Sequence, residues 1–198
     1  MRSPGKNLNR LRRIYNTIQS EMPKVRRLVE IATLAAAAPD APAMSIRVCG
    51  SYRMAYGILL AMATVLNHTL QIWDEDASLI EEMCDYIDQS IALAQQCESA
   101  RPYGAIFIPD FLTMVWAAAT DEYRNDELTE TLLDYENDSV GADYLGHAMS
   151  IRKRLFDMEA RETKEQTELA MSTKIGSVVQ EQPLYRGQYQ AVSECVIL

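Results

Sequence analysis

The sequence predicts an all-α protein: a single multi-helix bundle with a basic N-terminal helix and a loose C-terminal tail. Apolar residues recur at intervals of three and four, and no segment shows the alternation of a strand. A hydrophobic content of 48% over 198 residues can form the core of one domain. Because the periodicity fades after Arg161, we expect a helical domain over 1–160, with its core at 44–158, and a flexible tail over 161–198.

Two helices are expected before the first break in the chain. Apolar residues at helical spacing cover 6–22, and Pro23 ends this helix because proline lacks the N–H that a helix interior needs. A second helix covers 24–38 and stops at the Pro-Asp-Ala-Pro sequence of 39–42.

The segment 52–73 is the most apolar part of the chain. Residues 54–73 include no Asp, Glu, Lys or Arg, and this length raises the question of a transmembrane helix. Asn67, His68 and Gln71 lie within it, and its many alanines keep the hydrophobicity modest. We therefore expect the central core helix of a bundle, with a membrane-spanning helix as the alternative.

An amphipathic helix is expected after the acidic break at 74–76. Ser78 serves as its N-cap with Glu81 three residues later, and apolar residues recur at three and four up to about Ala100. The acids between them form one solvated face. Two more helices are predicted towards the C-terminus, over 125–138 and from 141 or 142 to 159 or beyond.

A turn after Arg101 separates this amphipathic helix from a short apolar one. The residue before a proline avoids helical angles, so the helix ends at Arg101, and Pro109 suits the first turn of the next. That helix, ending near 119, is apolar nearly all round and should pack against the 52–73 helix with Phe111 and Trp116 in the core. The turn could instead border a ligand site, but we expect a structural turn.

The charge is acidic overall and uneven along the chain. With 28 Asp and Glu against 19 Lys and Arg, the net charge is −9, which argues against a global nucleic-acid footprint. Residues 1–27 nevertheless contain eight basic residues and one acidic residue. Such an arm could bind phosphates, but we expect the solvated face of a helix that docks on the acidic body.

The sequence contains no common catalytic or metal-binding motif. Its four cysteines lie far apart with no CxxC pair, which excludes a zinc finger, and the polar N-terminus does not look like a secretory leader. We expect buried free thiols in a reducing intracellular compartment, and neither a metal nor a cofactor. His68 and His147 lie in no zinc-binding pattern, so each is expected to be an ordinary core or surface histidine.

The last four residues, Cys-Val-Ile-Leu, match a prenylation motif of the geranylgeranyl type, with Cys195 as the modified residue. One prenyl chain on a tail gives marginal, reversible membrane binding. The usual upstream polybasic segment is missing, so a chance match is the alternative. Membrane binding is expected only if Cys195 is prenylated.

The segment 51–156 resembles the regulatory region of fungal Zn2Cys6 transcription factors, often called the fungal-specific transcription factor domain. The likeness rests on an R-P-x-G-A motif, a W-A-A helix, a D-Y pair and an upstream S-Y-x-x-A-Y-G sequence. Its motif residues downstream are Arg101, Pro102, Gly104, Ala105, Trp116, Ala117, Ala118, Asp134 and Tyr135. The resemblance implies an all-helical regulatory module. The six-cysteine cluster that binds DNA in that family is absent, so sequence-specific nucleic-acid binding by this chain is not expected.

The leading hypothesis is therefore a non-enzymatic regulatory or interaction domain, intracellular and nuclear, that binds protein partners or a small-molecule effector. A stand-alone helical enzyme of the isomerase or cyclase type remains an alternative, so enzymatic activity stays open. Its apolar pocket would be lined by Tyr56, His68, Arg101, Asp110 and Trp116. A prenylated, membrane-peripheral adaptor is the third hypothesis.

Overall fold

The computed structural model describes residues 4–74, 76–119, 123–139 and 141–179. Within these ranges the chain forms six α-helices, two short 3-10 turns and no strand, which confirms the all-α prediction. The helices are α1 (Pro4–Ala36), α2 (Ala43–Gln71), α3 (Ser78–Cys97), α4 (Ile108–Ala118), α5 (Asn125–Glu136) and α6 (Tyr144–Val179). The 3-10 turns, Glu98–Ala100 and Tyr103–Ala105, lie between α3 and α4.

The first helix, α1, is continuous, so the predicted helix end at Pro23 is wrong. Pro23 lies inside α1 and removes one backbone donor, the N–H that would bond the carbonyl of Gln19. Buried residues continue on both sides of the proline at the spacing of a heptad repeat: Tyr15, Ile18, Met22, Val29 and Ala32. Packing of this seam outweighs the loss of a single hydrogen bond, because tertiary contacts supply most of a helix's stability.

Helices α1 and α2 form an antiparallel hairpin. Near its tip, the Thr33 hydroxyl lies 3.6 Å from Sγ of Cys49. Towards the other end, Nδ2 of Asn67 donates a hydrogen bond of 2.8 Å to the Tyr15 hydroxyl. These contacts set a register in which the end of α1 lies beside the start of α2.

Helix α2 contacts α1, α3 and α4 and so is central in the described bundle, as expected. It begins at Ala43, earlier than the predicted 52–73 helix, and Leu60, Ala63 and Leu70 are buried in it. Among the described residues, it is the one helix long and apolar enough to cross a membrane, and a third of its most apolar window is buried inside the protein. One face of α2 is exposed, so the helix is not buried all round.

Helix α3 begins at Ser78, but the predicted capping role of Ser78 is wrong. The backbone N–H of Ser78 donates to Oδ1 of Asp76 at 3.0 Å, so the acidic residue caps the helix. Hydrogen bonds from Ser78 also hold the pKa of Asp76 below its usual value. Met83, Ile87 and Ile91 are buried on one face of α3, as the amphipathic pattern predicted.

Helix α4 packs against α2, which confirms the predicted fold-back of the chain. Phe111 and Trp116 are 4% and 7% exposed. A Cβ atom added to Gly57 of α2 would lie 3.0 Å from Cδ1 of Phe111, so the missing side chain of this glycine lets the two helices approach closely.

Helix α6 continues to Val179, into the segment from 161 onward for which a loose tail was predicted. The first compact unit of the chain ends at Arg161. In the described part of the second unit, Lys164 and Glu168 form an ion pair of 3.9 Å at helical spacing. The predicted tail from 180 onward, including Cys195, lies outside the described residues.

Candidate functional site

The five residues of the predicted pocket lie in different environments. Tyr56, His68 and Trp116 are buried, Arg101 is half-buried in the turn before α4, and Asp110 is exposed in the first turn of α4. No hydrogen bond, ion pair or ring contact described for these residues joins two of them. Each of the five residues therefore has its own set of neighbours.

His68 is a buried, neutral histidine. Its ring centroid lies 6.4 Å from that of Phe156 on α6, with the two rings nearly perpendicular. Nε2 of His68 is buried and has no hydrogen-bond partner among the described residues. Burial lowers the pKa of His68, against a raising effect of Glu159 and together with a lowering effect of Arg152. The neutral imidazole suits an apolar core better than proton transfer with solvent.

Trp116 is fixed by α5 and covered by α6. Its indole N–H donates to Oγ1 of Thr129 at 2.8 Å, and the guanidinium carbon of Arg152 lies 3.5 Å from its ring centroid. Arg152 also donates to the carbonyl of Trp116 and, at 2.8 Å, to that of Ala119 at the end of α4. These are the carbonyls that a helix end leaves unpaired, so Arg152 acts as a C-terminal cap.

Arg101 ties the turn to α5. Its guanidinium donates to carboxylates of Asp134 and Asp138, the latter at 2.6 Å, and lies 4.4 Å from the ring centroid of Tyr135. The hydrogen bonds from Arg101 hold the pKa of Asp138 below its usual value. Tyr135 in turn donates to the carbonyl of Ala94 on α3 at 2.6 Å. These contacts support the structural role of the turn.

A buried polar network connecting α1, α2 and α3 was missed from the sequence. The Tyr15 hydroxyl donates to Glu82 at 2.5 Å, lies 3.0 Å from the Tyr86 hydroxyl and accepts a hydrogen bond from Asn67. Burial, and then the hydrogen bond with Glu82, raise the pKa of Tyr15. The available signals were a tyrosine at an apolar heptad position of α1 and an amide, Asn67, within the uncharged stretch 54–73. A network of this kind helps fix how helices are paired.

A cleft of about 250 Å³ lies beside this network, between α1 and α3. Its polar lining residues bond to one another: Tyr56 donates to Gln89, which donates to Asp85 at 2.5 Å. Burial raises the pKa of Tyr56 to about 12. Two other clefts lie along the exposed face of α1 and between α3 and α5, and neither His68 nor Trp116 lines any of the three.

Exposed apolar side chains lie along the α1–α2 hairpin, and we call this surface the hairpin patch. It consists of the exposed side chains of Leu28, Ile31, Leu34, Met44, Val48, Met54, Ile58 and Met62. Met54, Ile58 and Met62 follow one another at intervals of four, which places them on one face of α2.

The hairpin patch crosses from α1 to α2. Helix α3 lies on one side of the hairpin, where Gln19 donates to the Tyr86 hydroxyl. By its heptad position, Leu28 lies on the other side of the seam. Tyr52 and Leu59, half-buried on α2, lie between the two parts of the patch by helical spacing. The patch is therefore built from side chains of both helices.

The charge around the hairpin patch is balanced. The segment 28–62 contains two acidic residues, Glu30 and Asp40, and two basic residues, Arg47 and Arg53. The basic excess of the N-terminal region ends before the patch begins, and the acidic excess lies after it. The segment that carries the patch is therefore neutral by count, and it lies between a basic and an acidic part of the chain.

Comparisons with known proteins identify no relative: no family model, no curated protein and no solved structure matches the chain. Among the described residues, no group of three or more His, Cys, Asp or Glu side chains could hold a metal ion. The features with functional content in this part of the chain are thus the hairpin patch, the α1–α3 cleft and the isolated His68.

Proposed function

We propose that this chain is a non-enzymatic regulatory domain that acts by protein association in the nucleus, as the regulatory regions of fungal Zn2Cys6 transcription factors do. The observation that carries the proposal is the hairpin patch. Soluble monomers rarely expose a contiguous apolar surface of more than a few hundred Å², and larger ones mark interaction sites. Association with another polypeptide gives this surface a function.

Contacts among the motif residues support the proposed kinship. Arg101 comes from the R-P-x-G-A sequence, and Asp134 and Tyr135 form the D-Y pair more than thirty positions later. In the fold, the Arg101 side chain bonds Asp134 and stacks on Tyr135. Two of the four motifs therefore form one structural unit, which gives a physical reason for their occurrence together.

The alternative, a helical enzyme with an apolar pocket, has one observation in its favour, the unpaired Nε2 atom of His68. A general base must reach its substrate, and none of the three described clefts is lined by this residue. A thermal-shift screen against metabolites tests the alternative. Ligand binding raises the melting temperature of the folded protein. A compound that raises the melting temperature of the native protein but not that of His68→Gln would support the enzyme alternative.

A reporter experiment tests the regulatory proposal. The full chain is fused to an unrelated DNA-binding domain in fungal cells, and transcription of a reporter carrying its operator is measured. We expect activation or repression relative to the DNA-binding domain alone. Capture from the native host should also recover a Zn2Cys6 factor.

The matched variants in this experiment carry glutamine at exposed apolar positions. Met54→Gln combined with Ile58→Gln and Met62→Gln should abolish the effect, whereas Ile80→Gln on α3 should retain it. An unchanged reporter with the native chain, together with no nuclear partner, would remove the proposal.

The membrane-peripheral alternative depends on Cys195, which lies outside the described residues. Intact-mass measurement of the chain expressed in a prenylating host tests it. A mass increase that is lost in Cys195→Ser supports a membrane role. An unmodified terminus in that host removes it.

A further inference from the structure

We infer that the hairpin patch holds a second copy of this chain, so that two α1–α2 hairpins pair as a symmetric four-helix arrangement. The inference rests on the proposed function in treating the patch as an interface, and it names the occupant. Three properties of the patch lead to it: its area, its charge and its construction from two helices.

The area of the patch suits a stable dimer. Its eight side chains are between 39% and 76% exposed. At these exposures they present roughly 800 Å², which is about what each partner contributes to a standard protein interface. Interfaces between identical subunits are also the more apolar class, and all eight members of the patch are aliphatic or methionine side chains.

The charge of the patch favours a copy of itself over the other candidate occupants. Segment 28–62 has equal numbers of acidic and basic residues, so two copies can meet there without like-charge repulsion. Residues 1–27 are strongly basic and the region after 62 is strongly acidic, so self-association through either would be opposed. An anionic membrane or an acidic peptide would require a positive patch, and this one is neutral.

The construction of the patch also fits two-fold symmetry. A symmetric dimer uses the same surface on both subunits, so the surface must be complementary to itself. The patch spans two antiparallel helices, and pairing two such hairpins gives four helices around a shared apolar seam. Tyr52 and Leu59, already half-buried at the junction of the helices, would lie near the middle of that seam.

The test compares two equally exposed isoleucines on different faces. Ile58 lies in the patch and Ile80 lies on α3, and each is 51% exposed. The mass of the purified full chain is followed by sedimentation over a wide range of protein concentration. We expect the native chain to be a dimer at the higher concentrations. Ile58→Glu should weaken dimerisation on the order of a hundredfold, because the symmetry places the substitution in the interface twice.

Control variants keep the outcome interpretable. Ile80→Glu should dimerise within about twofold of the native chain, because surface substitutions outside an interface have small effects. Ile58→Gln provides a milder change if Ile58→Glu does not fold, as judged by its helical circular dichroism. It should also weaken the dimer more than Ile80→Gln does.

Three results would overturn the inference. The native chain could be monomeric throughout, the Ile58 and Ile80 variants could behave alike, or a monomeric native chain could bind neutral phosphatidylcholine vesicles through Ile58. A monomer that still changes reporter transcription would remove the dimer and leave the regulatory role intact. A dimer without any effect on transcription would remove the regulatory role and leave the dimer intact.

Discussion

Gly57→Ala should destabilise the protein, although the same substitution inside a helix normally stabilises it. Gly57 lies in the middle of α2, where alanine has the better helix propensity by about 1 kcal/mol. Its added Cβ, however, would lie 3.0 Å from Cδ1 and 3.3 Å from Cγ of the Phe111 ring. The Phe111 ring is 4% exposed and stacks on Phe107 with 6.2 Å between the ring centroids, so moving it would disturb a packed core.

The structure permits an estimate of which effect dominates. Inserting a methyl group into a packed core costs about 1–3 kcal/mol, which exceeds the gain of about 1 kcal/mol from helix propensity. We expect a net loss of about 1 kcal/mol, which corresponds to a melting temperature lower by about 2–4 °C for a chain of this size.

Gly50, also in α2, is the matched control. A Cβ at Gly50 would have no heavy atom within 4 Å. Gly50→Ala should therefore raise the free energy of unfolding by about 1 kcal/mol, the full difference in helix propensity between glycine and alanine. The two alanine variants are predicted to change stability in opposite directions.

Urea unfolding at one fixed protein concentration measures the stability change of each alanine variant. An unchanged slope of the transition with urea concentration shows that the unfolded state is unaltered. In a Phe111→Leu background, the cost of Gly57→Ala should shrink, because the smaller side chain leaves room for the methyl group. Equal stabilisation by Gly50→Ala and Gly57→Ala would show that α4 does not lie against α2 as described.

Two further predictions concern buried polar groups. Tyr15→Phe should cost about 1–3 kcal/mol in urea unfolding because buried Asn67 loses a hydrogen-bond acceptor, whereas Tyr103→Phe on the exposed turn should be neutral; equal effects would contradict the network. Burial lowers the pKa of His68 in the folded state. As the pH falls, the unfolded state therefore takes up this proton at a higher pH than the folded state, and the free energy of unfolding should fall below about pH 6.5. His68→Gln should remove this part of the pH dependence; an unchanged profile in this variant would place the buried imidazole elsewhere.

Much of the helical order was readable from the sequence because local patterns determine it. The helix starts at Ser78 and Asn125 follow from helical periodicity, and the fold-back before Pro109 follows from proline geometry. These signals act over one or two helical turns, so they do not depend on what the rest of the chain does.

The errors have a common cause, which is competition between local signals and tertiary packing. Pro23 is a strong local signal for a helix end, yet the seam from Tyr15 to Ala32 keeps α1 continuous because α2 lies against it. Likewise, the uncharged stretch of α2 suggested the central core helix of a bundle, but one face of this helix is exposed in the described residues.

The candidate pocket shows the same division. Tyr56, His68 and Trp116 were expected to line an apolar pocket in the enzyme alternative, and all three are buried. Their partners, however, come from α3, α5 and α6, more than ten positions away in sequence. No spacing rule relates a side chain to a neighbour that is brought close only by the packing of other helices.

By itself, the sequence determined an all-α chain, the approximate positions of most helices, and an acidic body after a basic start, because composition and helical periodicity are properties of the chain alone. Tertiary structure decided that α1 passes through its proline, that Tyr15 meets Asn67 and Glu82, and that one face of the hairpin remains uncovered. Exposure is the reason for this division: whether an apolar side chain is core or surface depends on which helices arrive to cover it.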